Sequence, residues 1–143
     1  MIKLYTDGSC APNPGPGGYS VIRDSEPVAL GFDRESTNIR MEAMALIAAL
    51  KYANGEICEI HTDSQFWINV VTVWSIKWRA NGWKKSNGPI MNLDLVMEIC
   101  ELFDQSNAKL VWVKAHNGTA GNELADEWAN RAREQKLSRA QSA

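Results

Sequence analysis

The chain has no apolar run approaching the roughly 18 residues that a membrane-spanning helix needs, and no charged-then-apolar leader. Neither membrane insertion nor export is expected. Cysteine is scarce: Cys10, Cys58 and Cys100 are odd in number, widely spaced and without metal-ligand spacing. A disulfide framework is therefore not expected; a reducing cytoplasm is, with Cys58 and Cys100 as buried thiols. Internal repeats, linkers and any excess of basic charge are also missing; the formal net charge is −2. That balance disfavours a protein gripping a polyanion by bulk charge. One segment departs from it: between Trp74 and Lys85 stand Lys77, Arg79, Lys84 and Lys85, with no acid among them.

What remains is ordinary for a single globular α/β domain, with 45% hydrophobic and 22% charged residues in 143. Residues 1–136 are expected to form it, and 137–143 to be a short, polar, frayed tail. Ile2 to Thr6 alternate as a strand that ends in Asp7-Gly8-Ser9. An acid at a strand's C-terminal edge lies where open α/β sheets carry their chemistry, although Asp7 alone could equally open a turn. The turn-dense Ala11–Gly18 stretch should end regular structure. Tyr19–Arg23 and Val28–Phe32 then complete an antiparallel meander of three strands.

Ser36 or Thr37 as N-cap and Asn54-Gly55 as stop bracket a helix of about 16 residues. From Met41 to Ala53 it is almost entirely apolar. Glu42 shares a face with Ile39, Ala45, Leu46, Ala49 and Ala53, while Arg40 and Lys51 project oppositely. A carboxylate on that stripe needs a partner: a salt bridge, a metal or a catalytic group. Glu56–Asp63 is a second strand ending in an acid. A right-handed crossover would set it parallel to the first, with Asp7 and Asp63 at one edge. Asp63-Ser64 is also a plain helix cap. Phe66–Trp78 mixes β-branched residues with helical spacing and predicts two short helices broken near Thr72–Ser75. Asn92–Phe103 is an amphipathic helix and Lys109–Val113 a fifth strand. A loop carrying His116, hinged by Gly118 and Gly121, precedes a last helix, about Asn122–Lys136, on which periodicity does not single out Asp126.

Five motifs, taken together, resemble a type 1 ribonuclease H of the bacterial kind. They are Tyr5-Thr6-Asp7-Gly8-Ser9-Cys10, Asn13 to Gly18, Thr37-Asn38-Ile39-Arg40-Met41-Glu42, Thr62-Asp63-Ser64-Gln65, and Val113-Lys114-Ala115-His116 with Asn122 to Asp126. They follow the family's order across nearly the whole chain. The resemblance implies a ribonuclease H-like fold: a five-stranded mixed sheet, three strands of antiparallel meander plus two parallel strands, flanked by helices. It implies that Asp7, Glu42, Asp63 and Asp126 hold two Mg²⁺ ions, with Mn²⁺ an admissible substitute, and that His116 assists proton transfer or product release. Oxygen ligands suit a hard, water-retaining cation, and paired ions suit in-line phosphodiester hydrolysis.

The implied partner is an RNA–DNA hybrid, with the enzyme a monomer. Its RNA strand would be read near Ser9, Cys10, Asn13, Asn38, Glu42 and Gln65, because ribose 2′-hydroxyls distinguish RNA from DNA. Thr37 and Asn92 would receive a phosphate of the DNA strand. Trp74, Trp78 and Trp83 with Lys77, Arg79, Lys84 and Lys85 resemble the family's basic protrusion, a salt-sensitive handle in which Trp78, Lys84 and Lys85 would bind and Trp74 would pack. His61 lies outside the motifs and reads as structural. The chain departs from the family at three places: Ile39 replaces a common second Asn, Ala115 replaces a common Gly, and Arg34 lies one place off register for the phosphate pocket. The alternatives are a retroelement nuclease domain or other member of the superfold, disfavoured by the intact handle, and a hybrid-binding module without catalysis. A pure binder gains nothing from four acids facing a phosphate backbone.

Overall fold

Alternation in the first ten residues builds β1 (Ile2–Cys10), which buries Ile2, Leu4 and Thr6 on one face at the centre of the sheet. The computed structural model describes residues 1–140. β2 (Gly15–Arg23) and β3 (Glu26–Ser36) follow as antiparallel neighbours, so the meander is as expected. Both strands are longer than the sequence suggested. Gly15–Gly18, read as part of a turn, is paired strand, because the ladder continues from Ser9↔Gly18 to Cys10↔Gly17.

Helix α1 (Asn38–Ala53) is capped by Thr37, whose hydroxyl accepts from the Arg40 N–H, and ends at left-handed Asn54. β4 (Cys58–Thr62) lies parallel to β1, with Tyr5 opposite His61. β5 (Ala108–Trp112) lies parallel to β4. The strand order β5-β4-β1-β2-β3 carries the expected five-stranded mixed sheet. A sixth, two-residue strand, β6 (Arg139–Ala140), extends it at β3. The segment expected to fray is thus docked as far as Ala140, where Arg139 also donates to the Pro27 carbonyl at 2.7 Å. Residues 141–143 of the expected tail lie outside the described residues.

The expected break in the middle region is instead a change of helical pitch. α2 (Gln65–Asn69) passes through a π-helical turn (Val70–Trp74) into α3 (Ser75–Ala80). Thr72 and Ser75 hydroxyls donate to the carbonyls four residues back, at 2.7 and 2.8 Å, which loosens the ladder where the β-branched run already disfavours regular helix. α4 (Leu93–Asp104) covers α1, and α5 (Ala120–Gln135) crosses β1, β2 and β3. The core joins α1 to the sheet through Leu46, Ala49, Leu4 and Ile60, with fully buried Trp67 locking α2 onto α1 by donating to the Ile39 carbonyl at 2.8 Å. All three cysteines are buried free thiols. No helix among the described residues is long and apolar enough to cross a membrane.

Candidate active site

Asp7 is two residues beyond Tyr5 on β1, and Asp63 stands one residue past the end of β4 rather than within it, as the sequence had suggested. Because Tyr5 and His61 are in register, and their rings stack at 4.5 Å, the two acids follow at the same edge of the sheet. His61 is accordingly a packing residue, as read from sequence. Glu42 reaches this edge because Gly8 lets α1 approach. A Cβ at residue 8 would lie 2.4 Å from the Glu42 nitrogen and the Met41 carbonyl carbon, so any side chain there would push the helix away. Asp126 is positioned from the other side. Ser20, paired with Asp7 across the ladder, donates to the Ala125 carbonyl at 2.6 Å and ties that turn of α5 to the sheet.

The carboxyls therefore approach one another at this edge, and Asp7, Glu42 and Asp63 are all raised there. Burial, then the charges of Asp63 and Asp126 and a hydrogen bond with the Asp126 carboxyl, push Asp7 up to about 9 against the weaker pull of the Gly8 N–H. Glu42 is pushed up to about 7, chiefly by burial and also by Asp63, while a hydrogen bond from Ser64 opposes the shift. Asp63 is raised by burial and by Asp126, and lowered by His116, so the loop histidine sits within electrostatic reach of the cluster. All five residues expected to act together are brought together. Ser64 was legible only as a helix cap. It does cap α2, accepting from the Trp67 N–H at 3.2 Å, and it also holds Glu42.

His116 occupies an exposed turn with positive φ (54°), and Gly118 (80°) supplies the second left-handed position. Gly121 is no hinge, contrary to the sequence reading. It lies inside α5, where a Cβ would stand 2.4 Å from the Tyr5 ring, so its smallness serves helix–sheet contact.

The expected substrate-binding residues divide into three groups. Asn38 joins the β1–β2 turn to α1: its Oδ1 accepts from the Cys10 N–H at 2.7 Å and its N–H donates to Asn13 Oδ1 at 3.2 Å. The Cys10 thiol itself turns inward, toward the carbonyls of Pro12 and Gly15. Ser9 contacts α5, and Gln65 is exposed at the start of α2. In the second group, Thr37 caps α1 while Asn92, left-handed at φ 57°, accepts from Arg40 at 3.3 Å. Arg40 also forms a two-pronged pair with Asp94 at 2.9 and 3.1 Å. This cation beside the candidate phosphate pocket was missed, since the helical wheel showed only that Arg40 faces away from Glu42.

The third group is the handle, remote in sequence from the acids. Trp78 is half-buried and packs on Trp74 at 6.0 Å; Lys84 is exposed and Lys85 half-buried. Trp74 keeps 38% exposure yet also meets the Phe66 ring at 5.7 Å, a packing role. A separate cavity of about 600 Å³ opens between α1 and the β2–β3 face, lined by Tyr19, Met44, Ile47 and Tyr52, and by none of the four acids.

The family model for RNase H matches residues 1–134. The chain belongs to the ribonuclease H family. It is 41% identical over 136 residues to a ribonuclease H of Pseudomonas entomophila, covering 91% of each chain. It is 38% identical over 139 residues to a ribonuclease H of Methylorubrum extorquens, covering 94% of this chain and 61% of that one. A crystal structure of LC9-RNase H1, a type 1 RNase H with the type 2 active-site motif, superposes with a TM-score of 0.84 at 27% identity, over 96% of this chain and 74% of that one. This ribonuclease H of type 1 is an endoribonuclease that cleaves the RNA of RNA–DNA hybrids. Members of the family are typically metal-dependent.

Among the described residues, no three His, Cys, Asp or Glu side chains are grouped so as to hold an ion by themselves. The donor set nevertheless fits a hard cation. Mg²⁺ retains several waters and takes one or two carboxylates together with substrate phosphates, so an all-protein cage is not what it requires. The raised Asp7 and Glu42 carboxyls are those a nearby cation would return to their ionised forms.

Proposed function

We propose that this ribonuclease H binds two Mg²⁺ ions through Asp7, Glu42, Asp63 and Asp126, with Mn²⁺ able to replace them, and cuts without base-sequence specificity. The supporting observation is the convergence of four carboxyls from β1, α1, the end of β4 and α5 on one pocket, with Asp7 held near 9 by burial and like charge. Such cations would supply Lewis-acid activation of a water and stabilisation of a departing 3′ oxygen. The chain's own groups prepare the site for that chemistry. Ser64 fixes Glu42, the Ser20–Ala125 bond fixes Asp126 against Asp7, and the exposed imidazole of His116 carries a proton between the cleft and solvent. Products would bear a 5′-phosphate and a 3′-hydroxyl.

The RNA strand would lie along Ser9, Cys10, Asn13, Asn38 and Gln65, where the Asn13–Asn38–Cys10 hydrogen bonds hold the turn against α1. The DNA strand would place one phosphate between Thr37 and Asn92 and lie against Trp78, Lys84 and Lys85. Arg40 supports the phosphate position. The enzyme would work as a cytoplasmic monomer, which sedimentation equilibrium checks. The decisive assay supplies end-labelled hybrid, double-stranded RNA and duplex DNA with Mg²⁺ or with EDTA. Cleavage confined to the RNA of the hybrid, and only with Mg²⁺, is expected. Undiminished cleavage in EDTA would remove metal from the account.

A further inference from the structure

Asp126, Asn130 and Arg133 are spaced i, i+4 and i+7, so they form one face of α5. Asp7 and Ser9, two apart on β1, present one face of the strand. The two faces meet: Asp126 contacts Asp7, and one step further Asn130 and Arg133 both contact Ser9. The second contact is a closed triangle. Ser9 Oγ lies 2.6 Å from Asn130 Oδ1, and Arg133 Nη1 lies 2.6 Å from Ser9 Oγ and 3.1 Å from Asn130 Oδ1. The Arg133 side chain is only 16% exposed, and its other Nη donates to Glu134 at 3.0 Å.

The chemistry of arginine fixes every proton in this triangle. A guanidinium donates and cannot accept, so the Asn130 atom facing it must be the carbonyl oxygen. Ser9, facing the same oxygen, must give it its single proton. One of the two serine lone pairs then receives Arg133. What is left on a half-exposed hydroxyl, two residues beyond Asp7, is one acceptor and no donor.

We propose that Arg133 and Asn130 are positioning residues that make Ser9 an obligate acceptor, tuned to a sugar hydroxyl that donates. Resting on the reading that Ser9 touches the RNA strand, this assigns α5 a part in telling ribose from other sugars, separate from its carboxylate. An RNA 2′-hydroxyl can donate to Ser9; a 2′-fluorine cannot, although it keeps the A-form shape of the strand. Without Arg133 the Asn130 amide is free to turn and the serine proton free to point outward, and the distinction weakens.

The test is hybrid binding by fluorescence anisotropy in EDTA, so that nothing is cut, with the RNA strand either all-ribose or all-2′-fluoro. The parent should favour ribose by about fivefold, the worth of one neutral hydrogen bond. Arg133→Met should remove that preference. Arg133→Lys should keep most of it, because both bonds leave a single nitrogen that an ammonium can replace. Ser9→Ala should also remove it, and adding Arg133→Met to Ser9→Ala should then change nothing further. If Arg133→Met weakens both strands equally, or if the lysine variant behaves like the methionine one, the positioning role is overturned. If Ser9→Ala leaves the preference intact, it is the placement of Ser9 on the RNA strand that fails. Loss of metal-dependent cleavage specificity in the parent would instead count against the proposed function.

Discussion

The acid pocket and the basic handle hold charge in opposite ways. In the pocket, Asp7, Glu42 and Asp63 are raised by burial and by one another, with a hydrogen bond from Ser64 and the charge of His116 as partial relief. In the handle, Arg79 is already satisfied: it meets Asp104 at 2.5 Å and lies 5.5 Å from the centre of the Trp83 ring. The pocket sits where two rigid strands and two helices converge, whereas the handle is an exposed helical segment and turn. Buried like charge on a rigid frame leaves its carboxyls raised and unrelieved. Exposed charge at the surface is screened, and Arg79 in the handle already has an acid and a ring beside it.

The largest effect that would break this contrast is at Asp7. Asp7→Asn should lower the cleavage rate by on the order of 10³-fold, the scale seen when a preorganised electrostatic group is removed, while hybrid affinity changes little. Single-turnover kinetics beside anisotropy would check it; turnover near the parent rate would take Asp7 out of the mechanism.

The same residue links the pocket to stability. Between the ordinary Asp value of 3.8 and about 9, the metal-free folded protein holds a proton that the unfolded chain has released. Stability should therefore fall as pH rises through that window, by up to about 1.4 kcal/mol per pH unit, and level off below it. Asp7→Asn should flatten the slope and raise stability at pH 8, measured by urea unfolding in EDTA. Mg²⁺ should stabilise the parent more than the variant. An unchanged slope in Asp7→Asn would assign the pH dependence to other groups.

At the handle, changing both Lys84 and Lys85 to Glu should raise KM and leave kcat nearly intact. The slope of log affinity against log salt should lessen by roughly 2, for two lost phosphate contacts. An identical slope would mean that the lysines touch no phosphate. Smallest of all, Asp104→Ala should cost less than about 1 kcal/mol of stability, as expected of a half-exposed pair, and should tighten hybrid binding slightly by freeing Arg79. Weaker binding would show that the pair shapes the handle rather than masking it.

Much of this contrast was legible in the sequence, for physical reasons that can be named. Strand acids announce themselves because an alternating run ends on them, so Asp7 and Asp63 could be placed at one edge before any coordinates. Thr37 and Asn54 marked α1 because caps are local chemistry. Asp126 was different. It flanks its helix stripe and came only from the motif, since what makes it special is Ser20 on a distant strand. The π-helical turn at Val70–Trp74 was sensed as a break but not as a change of pitch. Gly121 looked like a hinge by proximity to His116; only the Tyr5 ring shows why it is small. Arg40, Arg133 and the docking of Arg139 on β3 depend on long-range partners, which periodicity does not encode.

We propose that like charge in the pocket is tolerated as protonated carboxyl until a divalent cation replaces the proton. The carboxyl carbon of Asp7, followed by NMR through a pH titration with and without Mg²⁺, measures this directly. Without metal its midpoint should lie far above 7, and saturating Mg²⁺ should bring it down by several pH units. A midpoint near 4 in metal-free protein, unmoved by Mg²⁺, would contradict the account.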